Sequence, residues 1–199
     1  MSAPSSVARR RVLADHVPDV AARNVLMIVG GVLLTALAAQ VTFPLPFTPV
    51  PVSGQTFAVL SLAAVLGPGR AVLTQSAYWV IGLLGVPVFA DASGGVQAGL
   101  GATGGYLVGF ILASVVVGTL ARRGAGRRPL TMLAAWFCGS LSIFAVGLPW
   151  LAAFTGAGLA ETLAMGFYPF ILGDIVKASA AALFVPALWR LVGTDRDEV

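Results

Sequence analysis

Two ionisable residues stand in this chain where a membrane helix does not readily carry them. Asp174 and Lys177 lie inside the apolar run that starts near Pro169 and ends near Trp189. Three positions along a helix is about 60° of rotation, so the two side chains share a face, with Phe170 and Ala181 on the same stripe. A charged residue at the centre of a membrane helix costs about 2.5–3.5 kcal/mol on insertion scales, so such residues face protein or a cavity. Two kinds of chemistry are open to the pair. It is either a structural ion pair that pins helix packing, or part of a polar binding site that faces inward.

The elements that must position this pair follow from composition. Of 199 residues, 58% are hydrophobic and 10% charged, and the mean hydropathy is +0.93. A soluble domain carries about 25% charge, so this is an integral membrane protein. Several apolar runs are long enough to cross a bilayer, and alternating strand patterns are missing, which predicts an all-α protein rather than a barrel. The first two dozen residues are polar and lack the apolar core of a secretory signal. Cys138 is the single cysteine, which excludes a disulfide framework and argues against a metal-ligand cluster. His16, the single histidine, sits in the polar N-terminal stretch, so chemistry needing an imidazole inside the membrane is excluded. No cofactor is implied.

Six spanning segments are expected: Val25–Val41, Ser53–Gly67, Ala71–Gly85, Gly104–Ala121, Leu130–Trp150 and Ala164–Arg190. The second and third are short for a crossing of about 20 residues, so they are expected to continue as irregular backbone buried against neighbours. The domain reading is a compact six-helix membrane unit over 25–192 between polar tails at 1–24 and 193–199. Basic residues set its orientation. Arg9, Arg10, Arg11 and Arg23 precede the first segment, and Arg70 lies between the second and third. Arg122, Arg123, Arg127 and Arg128 lie between the fourth and fifth, and Arg190 and Arg196 follow the sixth. The loops after segments one, three and five hold no Lys or Arg. The positive-inside rule then places both termini in the cytoplasm and the uncharged loops outside. The net charge of +4 therefore reports topology, and nucleic acid is not an expected partner.

The outward loops are apolar and rich in Pro or Gly. The first, FPLPFTPVPVSGQT, carries Pro44, Pro46, Pro49 and Pro51 and ends in Gln55 and Thr56. Proline fixes φ and disfavours helix in the residue before it, so this stretch is extended. An uncharged segment of this kind is either a lid that dips over a cavity or a stiff linker lying in the interface. The second, GVPVFADASGGVQAGLGATGGYLVGF, sets Asp91 and Gln97 among six glycines, which allow close approach to a ligand or helix. No GxxxxGK[ST] occurs, so the chain has no nucleotide-hydrolysing loop of that type.

Five stretches, in order, resemble the BioY family: Phe43–Thr56 (FPLPFTPVPVSGQT), Leu66–Arg70 (LGPGR), Gly85–Ala90 (GVPVFA), Ala102–Leu107 (ATGGYL) and Gly173–Lys177 (GDIVK). The similarity covers about Val25 to Leu191. One departure is Ala102, where the family usually has proline. The resemblance implies the biotin-binding S component of an energy-coupling-factor transporter, a multi-pass protein of the cell membrane working with a transmembrane coupling protein and two cytoplasmic ABC-type ATPases. It implies that the first outward loop acts as a lid, together with the loops after segments three and five. It also implies that Gln55, Asp91, Tyr106, Asp174 and Lys177 form the substrate site. Biotin offers a carboxylate, a cyclic urea with two donors and one acceptor, and an apolar ring with a valeryl chain. Lys177 can supply charge, Asp174 and Gln55 hydrogen bonding, and Tyr78, Trp79, Phe89, Tyr106 and Tyr168 apolar wall. Which polar group takes which end of biotin stays open at this point.

Gly31, Thr35 and Ala39 place a small residue at every fourth position of segment one, which lets another helix approach closely. The family typically uses an Ala-x-x-x-Ala face here to meet the coupling protein; this chain has small residues in that role instead of the strict alanine pair, so they are expected at a partner interface, with packing inside the monomer as the alternative. Two other functional classes remain. One is a self-sufficient ion-coupled transporter or channel with Asp174 as proton carrier. The other is an intramembrane enzyme, for which no base–nucleophile pair is in evidence.

Overall fold

The long apolar runs become helices, and glycine and proline decide where each one stops. The protein is described by a computed structural model covering residues 20–193. Arg9, Arg10, Arg11, His16 and Arg196, with most of both expected polar tails, lie outside the described residues. Helix α1 (Val20–Ala39) leads into a two-stranded antiparallel hairpin, β1 (Thr42–Phe43) and β2 (Val52–Ser53), with Thr42 opposite Ser53 and Phe43 opposite Val52. Helices α2 (Gln55–Leu66) and α3 (Pro68–Leu83) are separated by Gly67 alone. Its φ of 77° suits glycine, and Pro68 opens α3 at a position where a missing N–H costs nothing. A 3-10 turn at Ala90–Ala92 and the short α4 (Val96–Gly99) lead to α5 (Gly104–Arg122). A second 3-10 turn at Ala125–Arg127 leads to α6 (Pro129–Thr155), α7 (Leu159–Gly166) and α8 (Tyr168–Gly193).

Helix α2 is the centre of the molecule. Nine of its twelve residues are buried, and it packs against α1, α3, α5 and α8. The outer helices show the reverse pattern: Leu26, Leu130 and Leu172 are 72%, 80% and 75% exposed. Apolar surface on this scale belongs against lipid. Among the described residues, four stretches are long and apolar enough to cross a membrane, Ala21–Ala39, Gly104–Arg122, Pro129–Thr155 and Leu159–Leu191, and the protein is a multi-pass membrane protein. A 12-residue α2 is about 18 Å long against a hydrocarbon core of about 30 Å. Of the irregular chain on either side of α2 and α3, Val50, Phe89 and Gly99 are buried and most of the rest is exposed or half-buried, so the expected burial of these stretches is only partial.

The expected segments differ in their bounds. Helix α1 is described from Val20 and ends at Ala39, α3 starts at Pro68, three residues before the expected Ala71, and α6 runs on to Thr155, past the expected Trp150. Segment six is interrupted, since Ala164–Gly166 belong to α7 and a new helix starts at Tyr168. The cause is Pro169, which lacks an N–H and so sits in a first helical turn instead of an interior one.

The seven described arginines gather at one end. Arg70 donates from Nε to Asn24 Oδ1 at 2.8 Å, joining the start of α3 to the start of α1. Arg127 lies 4.7 Å from the centre of the Trp189 ring, joining the α5–α6 turn to the end of α8. The hairpin, the α3–α5 loop and the first turns of α2, α5 and α8 lie at the opposite end.

The stripe of Gly31, Thr35 and Ala39 is buried inside the monomer. A Cβ on Gly31 would stand 2.7 Å from Thr74 Cγ2, Ala39 is fully buried, and the hydroxyl of Thr35 accepts a hydrogen bond from Gln75 Nε2 at 3.3 Å. The close approach that these small residues permit is used by α3, so a partner helix has no access to them. Gly31→Leu is expected to destabilise the isolated chain by about 1–3 kcal/mol through overpacking, read as a lowered melting temperature in detergent. An unchanged melt would show that this face is open after all.

Candidate functional site

A cavity of about 320 Å³ lies among the first turns of α2, α5 and α8 and the middle of α6, beneath the hairpin segment. Its floor and one side are aromatic. Tyr106 stacks on Phe170, with ring centres 6.1 Å apart and planes at 26°, and Phe144 meets Tyr106 edge-on at 6.4 Å. The Tyr106 hydroxyl donates to the carbonyl of Gly166 at 2.9 Å, which leaves the ring itself as the surface offered to a ligand. Gly147 makes room for this ring, because a Cβ there would stand 2.8 Å from Tyr106 Cδ1.

The polar side starts from α8. Asp174 lines the cavity, facing Ser140 of α6. Lys177, on the same face of α8, does not line it directly. Its ammonium donates to the carbonyl of Ser53 at 2.7 Å and to Thr56 Oγ1 at 2.8 Å, not to Asp174. Neither acceptor is charged, so the ammonium reaches past its helical neighbour to fasten β2 and the first turn of α2. Gln55 continues this network. Its Oε1 accepts from the Ser53 hydroxyl at 2.9 Å, and its Nε2 donates to the Tyr78 hydroxyl at 2.8 Å. Tyr78 in turn donates to the carbonyl of Val88 at 2.9 Å. A chain of hydrogen bonds therefore runs from α8 through the hairpin and α3 to the α3–α5 loop.

That loop is fastened a second time, at α1. Gln40 donates from Nε2 to the Phe89 carbonyl at 3.1 Å and accepts from Ala92 N at 3.0 Å. Asp91 lines the cavity from a left-handed conformation, φ 57° and ψ 35°, which non-glycine residues seldom adopt. Its Oδ1 accepts from the Thr42 hydroxyl of β1 at 2.6 Å. The turn that the sequence singled out is thus held by the hairpin and by α1 together.

Of the expected site residues, the structure brings Gln55, Asp91, Tyr106 and Asp174 to one cavity, with Lys177 immediately behind its wall. Pro49 and Pro51 line it too, whereas Pro44 and Pro46 are exposed and lie outside it. Phe89 is part of the lining. Tyr78 supports it through Gln55, Trp79 is bonded to the Gly99 carbonyl, and Tyr168 is 59% exposed, away from the cavity. The connection from α6 to α8, which includes α7, supplies no lining residue; it touches the wall through the Gly166 carbonyl on Tyr106 and the Phe167 ring on Phe144. Sequence reasoning missed Ser53, Thr56, Ser140 and Phe144. Ser140, Ile143 and Phe144 fall at i, i+3 and i+4 of α6, a face that their spacing alone would have exposed.

Comparison with known proteins adds the following. The family model described as the BioY family matches residues 9–194. The chain is 39% identical over 168 residues to a probable biotin transporter BioY of Pyrococcus horikoshii, covering 84% of this chain and 96% of that one. It is 34% identical over 165 residues to the biotin transporter BioY of Thermotoga maritima, covering 83% and 96%. Among solved structures, the S component for biotin from an ECF-type ABC transporter superposes with a TM-score of 0.74 at 22% identity, covering 86% of this chain and 95% of the other. That likeness fixes the fold.

The geometry ranks the two charges of α8. Lys177→Met strips Ser53 and Thr56 of their donor, a loss of about 1.5–3 kcal/mol for a hydrogen bond to a charged group. Asp174→Asn keeps hydrogen-bonding capacity and is expected to cost less. Melts of both variants, with hydrogen exchange over residues 43–53, check this. Faster exchange in the hairpin is expected for Lys177→Met alone. A larger loss from Asp174→Asn with an unchanged hairpin would make the Asp174–Lys177 charge pair the dominant interaction.

Proposed function

The chain belongs to the BioY family, and on that premise we propose that it captures biotin and serves its uptake as the substrate-binding component of an energy-coupling-factor transporter. Hydrolysis of ATP is supplied by two ABC-type subunits acting through a transmembrane coupling protein. The observation that carries this reading is the cavity. It has an aromatic wall from Tyr106, Phe144 and Phe170, two carboxylates, Asp174 within and Asp91 at the rim, and a lid segment with Pro49, Val50 and Pro51 over it. Its volume of about 320 Å³ suits a small molecule that is mostly apolar with a few polar groups.

In this reading Asp174 accepts hydrogen bonds from biotin and the Tyr106 ring packs on its apolar body. Asp91 closes the rim, while Gln55 and Lys177 hold the lid base in register. The chain crosses the bilayer six times, α2 and α3 with the help of the irregular segments joined to them, with both termini and the arginine-rich end in the cytoplasm, in line with the positive-inside rule. The cavity then opens toward the outer face, the side from which a scavenged vitamin arrives. Ion-coupled transport by this chain alone rests on Asp174 by itself, and no feature of the site favours it.

Equilibrium titration of the detergent-purified protein with biotin tests the proposal. Saturable one-to-one binding and a rise in melting temperature are expected, and a folded protein that does not bind overturns it. The lid is tested separately by Val50→Asp. Val50 is 4% exposed and lines the cavity, so closure would bury an unpaired carboxylate and weaken binding by about tenfold or more. Unaltered affinity in a folded Val50→Asp protein would make the segment a linker.

A further inference from the structure

Hydroxyls inside membrane helices ordinarily satisfy themselves on the carbonyl one turn back. Six do so here. Thr35, Thr74, Ser114, Ser142, Thr155 and Ser179 each donate to the carbonyl four residues earlier, at 2.7–2.9 Å. Ser140 does not. Its Oγ has no hydrogen-bond partner although the residue is only 7% exposed, and its side chain lines the cavity. A buried, unpaired hydroxyl is a cost that a folded protein carries where something else supplies the partner.

The surroundings narrow what that partner is. The Ser140 hydroxyl faces the Asp174 carboxylate and interacts with it only weakly, short of a well-formed hydrogen bond. Other polar groups of the lining, Ser53, Gln55 and Thr56 among them, already hydrogen-bond within the protein. A ligand carboxylate placed between Ser140 and Asp174 would meet like charge, so the part of the ligand that lies there is uncharged and carries N–H donors. A hydroxyl with a free O–H and free lone pairs complements a carboxylate at such a group, because it can both donate and accept.

We propose that Ser140 is a specificity-determining contact of the site, its hydroxyl hydrogen-bonding the cyclic urea of the ligand beside Asp174. This deepens the biotin-binding reading and rests on it. Replacing the hydroxyl then weakens binding while costing the ligand-free protein little, because its contact with Asp174 is weak. Ser61 is the internal control. Its Oγ is equally buried and unpartnered, on α2, but it does not line the cavity.

The experiment compares wild type, Ser140→Ala, Ser140→Cys and Ser61→Ala, with the melt of each ligand-free protein and titrations with biotin and desthiobiotin. Desthiobiotin keeps the urea but lacks the closed sulfur ring. Ser140→Ala is expected to weaken both ligands alike by about tenfold, with a ligand-free melting temperature close to wild type. Ser140→Cys, nearly the same size and a weak donor, weakens both in the same direction, and Ser61→Ala changes neither affinity. Wild-type affinity in a folded Ser140→Ala or Ser140→Cys protein overturns the proposal. So does a loss confined to biotin, or a ligand-free melt that falls in step with affinity, which would make Ser140 a packing residue. A wild type that binds neither ligand removes the parent reading, an outcome distinct from a binding-competent wild type that ignores Ser140.

Discussion

The ammonium of Lys177 is held by the carbonyl of Ser53 and the hydroxyl of Thr56, and much of the architecture follows from satisfying that one charge. A cation at this depth is tolerated only where protein groups replace its water. Both groups come from chain more than a hundred residues away, at the junction of hairpin and α2. Thr56 also belongs to the first turn of α2, the end of a helix that disfavours a cation. The carboxylate of Asp174, one turn back on α8, offsets this at longer range. The junction must therefore lie deep, which it can only because α2 is short and buried all round.

From that junction the network runs outward and ties two loops into one body. Ser53, Gln55, Tyr78 and the Val88 carbonyl form one arm, while Gln40 and the Thr42–Asp91 bond form another. The hairpin and the turn at Asp91 are not independent flaps. The strained left-handed backbone at Asp91 and Ala92 persists because groups on α1 and β1 hold it from both sides.

How much of this the sequence disclosed depended on the range of the contact. Asp174 and Lys177 were legible as one polar face because helical spacing is local. The acceptors of Lys177 were not, since nothing local links Ser53 to residue 177. The prolines of the hairpin marked an extended segment, yet only Pro49 and Pro51 line the cavity, because strand pairing at Thr42 and Phe43 leaves Pro44 and Pro46 on the exposed side. Gly31, Thr35 and Ala39 announced close helix packing without saying to whom, and α3 proved to be the neighbour. Tyr168 shows the same limit: an aromatic residue next to a site by sequence turned outward with the exposed side of α8.

The two sides of the cavity are held by different physics, and that difference assigns their roles. The aromatic wall is set by backbone. A Cβ on Gly109 would stand 2.9 Å from the Ile143 Cα, and Gly147 leaves the space that the Tyr106 ring fills, so α5 and α6 lock together at a spacing that side-chain rotation cannot change. Interiors of this kind are close-packed and do not yield by degrees. The hairpin side is fastened by a handful of hydrogen bonds, each worth about 0.5–3 kcal/mol net, and Pro44 and Pro46 on it are exposed. Opening of the cavity is therefore expected to begin at the hairpin and not at the α5–α6 wall. A ligand bridging the two sides would add contacts to the weaker one, so its binding would stabilise the hairpin most.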